Sequence, residues 1–178
     1  MTENTYVFLT ADHGLAIGSH GLLGKQNLYD HSIRVPLAMA GPGIPPGNQI
    51  NTDVYLQDIM PTALQIAGME IPGYVEFKSL MNDMNQESGS VLEDGVYGAY
   101  MDLQRMIRKE GFKLMVFPQV PRILLYDLGA DPYEMNNLAE SETYREQVIK
   151  MWSELKQLQV EMSDTLNLPD SPESWLIH

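Results

Sequence analysis

Three of the four histidines lie within the first 31 residues, in a stretch that also contains an aspartate and a lysine. Asp12 and His13 follow the short apolar run Tyr6–Thr10 after one intervening residue, Ala11. A carboxylate oxygen and an imidazole nitrogen can both donate electron pairs to a divalent cation, so this adjacent pair is a candidate for two metal ligands. The alternative is an ordinary turn in which Asp12 accepts hydrogen bonds from nearby backbone amides.

Lys25 follows a glycine in the same stretch. A lysine placed by a flexible neighbour can direct its ammonium group at an oxyanion and stabilise charge that develops in a transition state. The alternative is a solvated surface lysine. Only Lys25 and Arg34 are basic among the first 77 residues, so a positive charge at this point of the chain is informative.

His20 lies between Ser19 and Gly21 and is a candidate either for a substrate contact or for an ordinary loop histidine. His31 is interpreted as structural. The chain supplies no recognisable nucleophile: it has no cysteine, no Gly-x-Ser-x-Gly elbow and no glycine-rich phosphate loop. Any chemistry at this stretch would therefore rest on charge and metal ligation.

Two apolar runs, Tyr6–Thr10 and Val35–Ala40, predict strands around these residues. The first run does not alternate with polar residues, which is typical of a parallel strand covered on both faces. Asp12 and His13 would then lie at the carboxyl end of the first strand, where α/β sheets bind ligands. The segment Gly14–Arg34 is too long for a tight turn, and long structured loops are usually functional.

Further along the chain, the pattern predicts a helix over Ile59–Ala67, with Asp58 as its N-cap. Gln86–Gly95 changes in composition and is the candidate for a boundary or surface loop. We therefore expect an α/β part over residues 1–90 and a second, α+β part over residues 91–178.

The second part reads as a meander followed by one long helix. Apolar residues spaced four and three apart predict a helix from Tyr144 to Met162, opened by a capping box of Thr143 and Glu146. The residues after Met162 are expected to be loosely held. The meander strands are predicted at Val96–Met101, Arg105–Ile107, Lys113–Phe117 and Ile123–Asp127.

The charge balance excludes one class of partner. The chain has 178 residues, with 11 Lys and Arg against 24 Asp and Glu, giving a net charge of −13. A nucleic-acid binder needs a basic surface, so that class is disfavoured. No apolar run reaches the length of a membrane span.

The candidate residues belong to a longer series of motifs along the chain. The series begins with Thr10-Ala11-Asp12-His13-Gly14 and continues through Gly18-Ser19-His20-Gly21-Leu22-Leu23-Gly24-Lys25 and Ile33-Arg34-Val35-Pro36-Leu37. It extends to Gln57-Asp58-Ile59-Met60-Pro61-Thr62 and, near the C-terminus, to Leu125-Tyr126-Asp127-Leu128, Asp131-Pro132, Glu134 and Asn136-Asn137-Leu138-Ala139. In this order the motifs resemble the second half of the sulfatase family, and the resemblance covers most of the chain.

This resemblance implies an α/β fold: part of an alkaline-phosphatase-like core, followed by a small antiparallel sheet with a long helix. It also implies a divalent cation, expected to be calcium, held in part by Asp12 and His13. Lys25 matches the lysine that contacts the sulfate ester, and His20 matches a histidine often found in a Gly-x-His-Gly stretch. The expected substrate is a sulfated sugar or an aryl sulfate.

The sequence departs from the family in one large respect. Sulfatases carry a Cys-x-Pro-x-Arg or Ser-x-Pro-x-Arg motif whose first residue becomes formylglycine, and this chain has none. We therefore expect the chain to be a C-terminal portion that is inactive alone and that self-associates through its uncovered strand. The alternatives are a phosphonate or phosphodiester hydrolase of the same superfamily and a non-catalytic interaction fragment.

Overall fold

The computed structural model describes residues 2–82 and 95–176. Its described strands are β1 Val7–Thr10, β2 Ala16–Ile17, β3 Leu23–Gly24, β4 Leu37–Ala40, β5 Val96–Tyr100, β6 Gln104–Lys109, β7 Phe112–Phe117 and β8 Arg122–Asp127. Its described helices are α1 Asp30–Ile33, α2 Ile59–Ile66, α3 Arg145–Glu161 and α4 Glu173–Leu176. The mixed α/β class, with an antiparallel sheet and a long helix after it, is confirmed.

The chain forms two compact units, and the second takes in an early segment. The described residues of the first unit are 2–12 and 36–82, and those of the second are 13–35 and 95–176. The segment with His13, His20 and Lys25 therefore groups with the C-terminal residues. The two-part division at about residue 90 stays a prediction, and the expected loop lies outside the described residues except for Gly95.

In the first unit, strand β1 pairs with β4, and the pairing is antiparallel. The register places Val7 opposite Ala40 and Leu9 opposite Ala38. Val7 is 57% exposed and Leu9 is 65% exposed, so one face of this ribbon is an uncovered apolar surface. The expectation of a parallel strand covered on both faces is not met in this chain, because among the described residues β4 is the only strand paired with β1.

Helix α2 begins where the sequence predicts, with Asp58 at the N-cap position, but the Asp58 side chain makes no capping hydrogen bond to the helix. Its carboxylate accepts hydrogen bonds from the backbone N–H groups of Tyr55, at 2.8 Å, and Lys78, at 3.1 Å. Asp58 lies in a short 3₁₀ turn that precedes the helix, so its side chain turns back towards the earlier residues. It therefore fixes the approach to the helix and the later Lys78 loop.

In the second unit, the four predicted meander strands form one antiparallel sheet in the order β5-β6-β7-β8. Helix α3 covers one face of the sheet, burying Trp152 and Leu155 against residues such as Ile107 and Leu125. Leu28 packs on the other face, against Met106, Met115, Leu124 and Tyr126. The central strands are therefore apolar on both faces because a helix and an early segment enclose them.

The predicted capping box of Thr143 and Glu146 is absent at the start of α3. A 3₁₀ turn over Glu142–Tyr144 leads into the helix instead, and no side chain caps the first turn. The residues after Met162 are also better held than expected. Leu168 is buried, and the Trp152 indole N–H donates to the Pro169 carbonyl at 3.1 Å.

No helix formed by residues 2–82 and 95–176 combines the length and the apolar character that a membrane span requires.

Candidate active site

Within the segment 13–34, the backbone at Gly14 approaches helix α1 closely. The Gly14 N–H donates to the Ser32 carbonyl at 2.8 Å. A Cβ atom at position 14 would lie 2.0 Å from the His31 carbonyl oxygen, a distance that no side chain tolerates. Glycine is therefore required here, and this close approach fixes the backbone beside His13.

His13 and Lys25 are brought into direct contact. The His13 Nδ1 atom lies 2.8 Å from the Gly14 carbonyl oxygen, which can only accept, so Nδ1 carries the proton. The lone pair of a neutral ring is then on Nε2, and Lys25 Nζ donates to it. The structure therefore places an ammonium group at the one ring nitrogen of His13 that can bind a cation.

A short hairpin delivers Lys25 to this position. Strands β2 and β3 pair Ala16 with Gly24 and Ile17 with Leu23. Gly24 has a φ of 102°, a conformation that favours glycine and turns the chain immediately before Lys25. The predicted role of the glycine before the lysine therefore has a structural basis.

Asp12 is exposed and directly precedes His13 in the chain. Among residues 2–82 and 95–176, no group of three or more His, Asp or Glu side chains is arranged to hold a metal ion. A carboxylate and a neutral imidazole nitrogen suit a divalent cation, but two ligands do not complete a coordination shell. Asp12 and His13 fit a metal site only as part of a larger ligand set.

The structure gives His20 a different set of contacts. Its Nε2–H donates to the Tyr133 carbonyl oxygen at 3.1 Å. Its ring stacks on Tyr29, with centroids 3.9 Å apart and an angle of 11° between the planes. The backbone of His20 is left-handed, with a φ of 54°. These contacts anchor the hairpin.

His31 packs beside this stack, with its ring centroid 5.5 Å from that of His20. Its Nε2 atom is buried, and the described residues offer it no hydrogen-bond partner. Burial lowers the pKa of His31, and the nearby His20 adds to the effect. The interpretation of His31 as structural agrees with this neutral, enclosed setting.

The sequence interpretation missed a buried ion cluster next to these rings. Lys113 is 0% exposed, and its Nζ lies 2.7 Å from Asp30 Oδ1 and 2.7 Å from Glu134 Oε1. A second oxygen of Glu134 accepts from the Asp30 backbone N–H at 2.7 Å. The available signal was a lysine inside the apolar run Phe112–Phe117, since a charge in a doubly covered strand needs partners.

Asp127 and Asn137, which lie in the motifs near the C-terminus, use their side chains to hold backbone amides. Asp127 Oδ1 accepts from the Gly129 and Ala130 backbone amides at 3.0 and 3.1 Å. Asn137 Oδ1 accepts from the Leu125 N–H at 2.9 Å and so ties the following turn to strand β8. These residues hold the turn over 131–137 against the sheet.

Comparison with known proteins gives a consistent result. The family model described as N-sulphoglucosamine sulphohydrolase, C-terminal, matches residues 18–161. Choline-sulfatase from Rhizobium meliloti is 32% identical over 147 residues, which are 79% of this chain and 28% of that protein. The chain therefore belongs to the sulfatase family, a family of sulfate ester hydrolases.

Solved structures agree with this assignment. The structure of BT4656 in complex with its substrate D-glucosamine-2-N,6-O-disulfate has a TM-score of 0.81 at 27% identity, over 94% of this chain and 36% of that one. The phosphonate monoester hydrolase of Agrobacterium radiobacter has a TM-score of 0.74 at 25% identity, over 88% of this chain and 35% of that one. The chain spans about three-tenths of the length of the curated relatives it matches.

Proposed function

We propose that this chain is the lysine-bearing part of a sulfatase that hydrolyses sulfate esters. The observation that supports the proposal is the contact of Lys25 Nζ with His13 Nε2, within a segment that resembles the sulfatases. An ammonium group held in this way can pair with the anionic ester and with the charge that grows on its leaving oxygen. A sulfated sugar is the favoured substrate class, since BT4656 binds a disulfated glucosamine.

Asp12 and His13 are proposed as two ligands of a divalent cation, expected to be calcium. The bound cation would polarise the sulfuryl oxygens. His13 suits this role because its proton is held on Nδ1 by the Gly14 carbonyl, which leaves the Nε2 lone pair for coordination. Lys25 would then exchange its contact with His13 for one with the ester.

The formylglycine nucleophile is proposed to come from a part of the parent enzyme that this sequence does not contain. The 178 residues include no Cys-x-Pro-x-Arg or Ser-x-Pro-x-Arg motif. We therefore expect the isolated chain to turn over no sulfate ester.

A catalytic role for His20 is supported by sequence resemblance alone. Its contacts with Tyr29 and Tyr133 favour a role in holding the hairpin beside Lys25.

A second candidate function is hydrolysis of phosphonate or phosphate esters. The likeness to the phosphonate monoester hydrolase of Agrobacterium radiobacter favours it, because both ester classes present anionic oxygens to the same charges. The sulfatase function is preferred because the family model and the curated relatives are sulfatases.

Parallel assays of the full-length enzyme decide between the two functions. An aryl sulfate, a 6-O-sulfated glucosamine and a phosphonate monoester would be compared by kcat/KM at one pH, with the isolated chain as a second sample. We expect the highest value for a sulfate ester and no turnover by the isolated chain. A preference for the phosphonate would overturn the sulfatase proposal, and turnover by the isolated chain would overturn the assignment of the nucleophile.

The non-catalytic alternative predicts a stable fragment that acts by binding. We propose instead that the isolated chain self-associates through the apolar face that contains Val7 and Leu9. A two-stranded ribbon with an exposed apolar face and open edges is prone to pair with a further strand.

A further inference from the structure

One turn, residues 131–137, holds the lysine-bearing segment at two points. The Tyr133 carbonyl accepts from His20 Nε2 at 3.1 Å, and Glu134 Oε2 accepts from the Asp30 backbone N–H at 2.7 Å. Lys25 lies midway between the two anchored residues in the sequence. A displacement of the turn would therefore displace both ends of the stretch that carries Lys25.

Glu134 occupies a conformation that residues other than glycine seldom adopt. Its φ is 58°, and the side chain is 2% exposed. The turn maintains this conformation through two hydrogen bonds: Glu134 N–H donates to the Asp131 carbonyl at 3.1 Å, and Asn136 N–H donates to Asp131 Oδ2 at 2.7 Å. A strained, buried glutamate persists only where its surroundings require it, and it marks a candidate for function.

Lys113 joins the turn to the segment from inside the sheet. Its ammonium group, fully removed from water, bridges Asp30 in α1 and Glu134 in the turn at 2.7 Å each. A buried ion cluster is seldom worth more to stability than apolar packing of the same volume. The role of this cluster is better explained by orientation. Each charged group pairs only with a group of opposite charge at a fixed position, so the cluster sets how the turn and the segment lie against each other.

We propose that Glu134, with Lys113, is a positioning residue for Lys25. Glu134 fixes the N-terminal end of α1, and the neighbouring Tyr133 carbonyl fixes His20, so that the intervening residues present Lys25 at His13. This inference rests on the proposed function for the meaning of the Lys25 position, but the position itself can be measured without turnover.

The test compares Glu134→Ala with Glu140→Ala in the isolated chain, because Glu140 is exposed and lies six residues further on. Nuclear magnetic resonance would follow the imidazole nitrogens of His13, the Lys25 amide and the hydrogen exchange of the Asp30 amide. We expect Glu134→Ala to shift the His13 and Lys25 signals and to speed Asp30 exchange at least roughly tenfold, while exchange in strands β6–β8 is retained. Glu140→Ala should change none of these.

Unchanged His13 and Lys25 signals in a folded Glu134→Ala variant would overturn the proposal. So would an equal rise of exchange in β6–β8, because that pattern belongs to a merely structural residue. If the alanine variant does not fold, Glu134→Gln is measured instead. It keeps the volume and an oxygen for the Asp30 N–H but loses the charge that Lys113 requires, so the criterion is then the shift of the His13 and Lys25 signals alone. Failure of the sulfatase proposal would appear separately, as a preference of the full-length enzyme for the phosphonate monoester over the sulfate esters.

Discussion

At the scale of single residues, the contact between His13 and Lys25 defines what the chain can contribute to chemistry. It combines a neutral imidazole, whose proton is fixed by the Gly14 carbonyl, with an ammonium group on a glycine-hinged segment. The two side chains are twelve residues apart in sequence and meet because the β2–β3 hairpin brings the chain back.

The first prediction concerns the charge at position 25. In the full-length enzyme, Lys25→Ala and Asp12→Ala should each lower kcat/KM for a sulfate ester by at least roughly a hundredfold, as for the loss of one preorganised charge contact. Steady-state kinetics would measure the change. Lys78→Ala, an exposed lysine of the other unit, serves as the matched control and should retain full activity. Full activity of Lys25→Ala would remove this lysine from the site.

The second prediction uses two glycines that differ only in their surroundings. A Cβ at Gly14 would lie 2.0 Å from a backbone oxygen, whereas a Cβ at Gly73 would have nothing within 4 Å. Gly14→Ala should therefore lower the free energy of unfolding by at least about 2 kcal/mol, since a backbone contact cannot relax as a side chain does. Urea unfolding of the two alanine variants would measure it. Equal midpoints would show that the close approach at Gly14 is not present in solution.

At the scale of elements, the meander is joined to the segment after α3 by one partly buried acid, Asp164. The Asp164 carboxylate accepts from Tyr97 Oη and from the guanidinium of Arg105, including an Nη2 contact of 3.1 Å, and its Oδ1 also accepts from the Leu166 N–H at 3.0 Å. The Arg105 guanidinium, more than the other donors, lowers the pKa of Asp164 below its ordinary value. Burial of the Tyr97 ring, reinforced by its hydrogen bond to Asp164, raises the pKa of that phenol.

The third prediction follows from the direction of that pKa shift. Because folding lowers the pKa of Asp164, its contribution is fully present above the ordinary aspartate pKa of 3.8 and is lost as the pH falls further through the folded value. Asp164→Asn should cost about 1.5–3 kcal/mol of unfolding free energy at pH 7 and should reduce the loss of stability below about pH 4. Urea unfolding from pH 7 to pH 2.5 would measure both effects.

Asp170→Asn is the control for this prediction, because Asp170 is fully exposed and its partner Lys156 also bonds backbone carbonyls. It should leave the unfolding midpoint close to that of the parent chain at pH 7. If both variants lose stability equally, the buried cluster around Asp164 has no special part in holding the tail.

The sequence predicts elements well where the pattern is local. Hairpin turns and apolar runs determine the four meander strands, and the spacing of four and three determines α3. An apolar strand pattern predicts that the strand is buried, but it does not predict which other element covers it. Strands β6, β7 and β8 have buried side chains on both faces, against α3 and against the early segment, whereas β1 is left half exposed. Which run is enclosed depends on tertiary partners that single-sequence periodicity does not contain.

The residues of the candidate site also fall into those that the sequence predicts and those that it does not. His13 and Lys25 were identifiable because their residue types and order are informative, and the structure brings them together. The cluster of Lys113, Asp30 and Glu134 was not, because its members are 83 and 21 residues from one another along the chain, which no local pattern links. Asp58 lies at the predicted N-cap position, but its carboxylate does not cap the helix, for a related reason: it accepts from the Lys78 backbone N–H, a partner that local rules cannot anticipate.

At the scale of the whole molecule, the exposed apolar face of β1 and β4 is the feature on which our proposal of self-association rests. Val7, Leu9, Ala38 and Ala40 form two cross-strand pairs on that face. A net charge of −13 keeps copies apart at long range but does not cover an apolar surface.

The fourth prediction is that a charge on this face reduces self-association. Sedimentation velocity should show oligomers of the isolated chain at micromolar concentration, and Leu9→Glu should shift them towards monomer. Met69→Glu, an exposed apolar residue of the same unit outside the ribbon, should leave the oligomers in place. A parent chain that stays monodisperse and monomeric at all concentrations would contradict the prediction.

The grouping of residues 13–35 with 95–176 has a consequence for the order in which the second unit folds. The meander and α3 are built from contacts close in sequence, but Leu28 reaches its place on Met106 only after the chain closes a loop of more than seventy residues. The entropic free-energy cost of closing a loop grows slowly with its length, by about 0.6 kcal/mol for each doubling. This cost opposes folding before the contacts across the loop have formed. The sheet and its helix should therefore form first, and the stretch that presents Lys25 should be the last to dock and the first to detach.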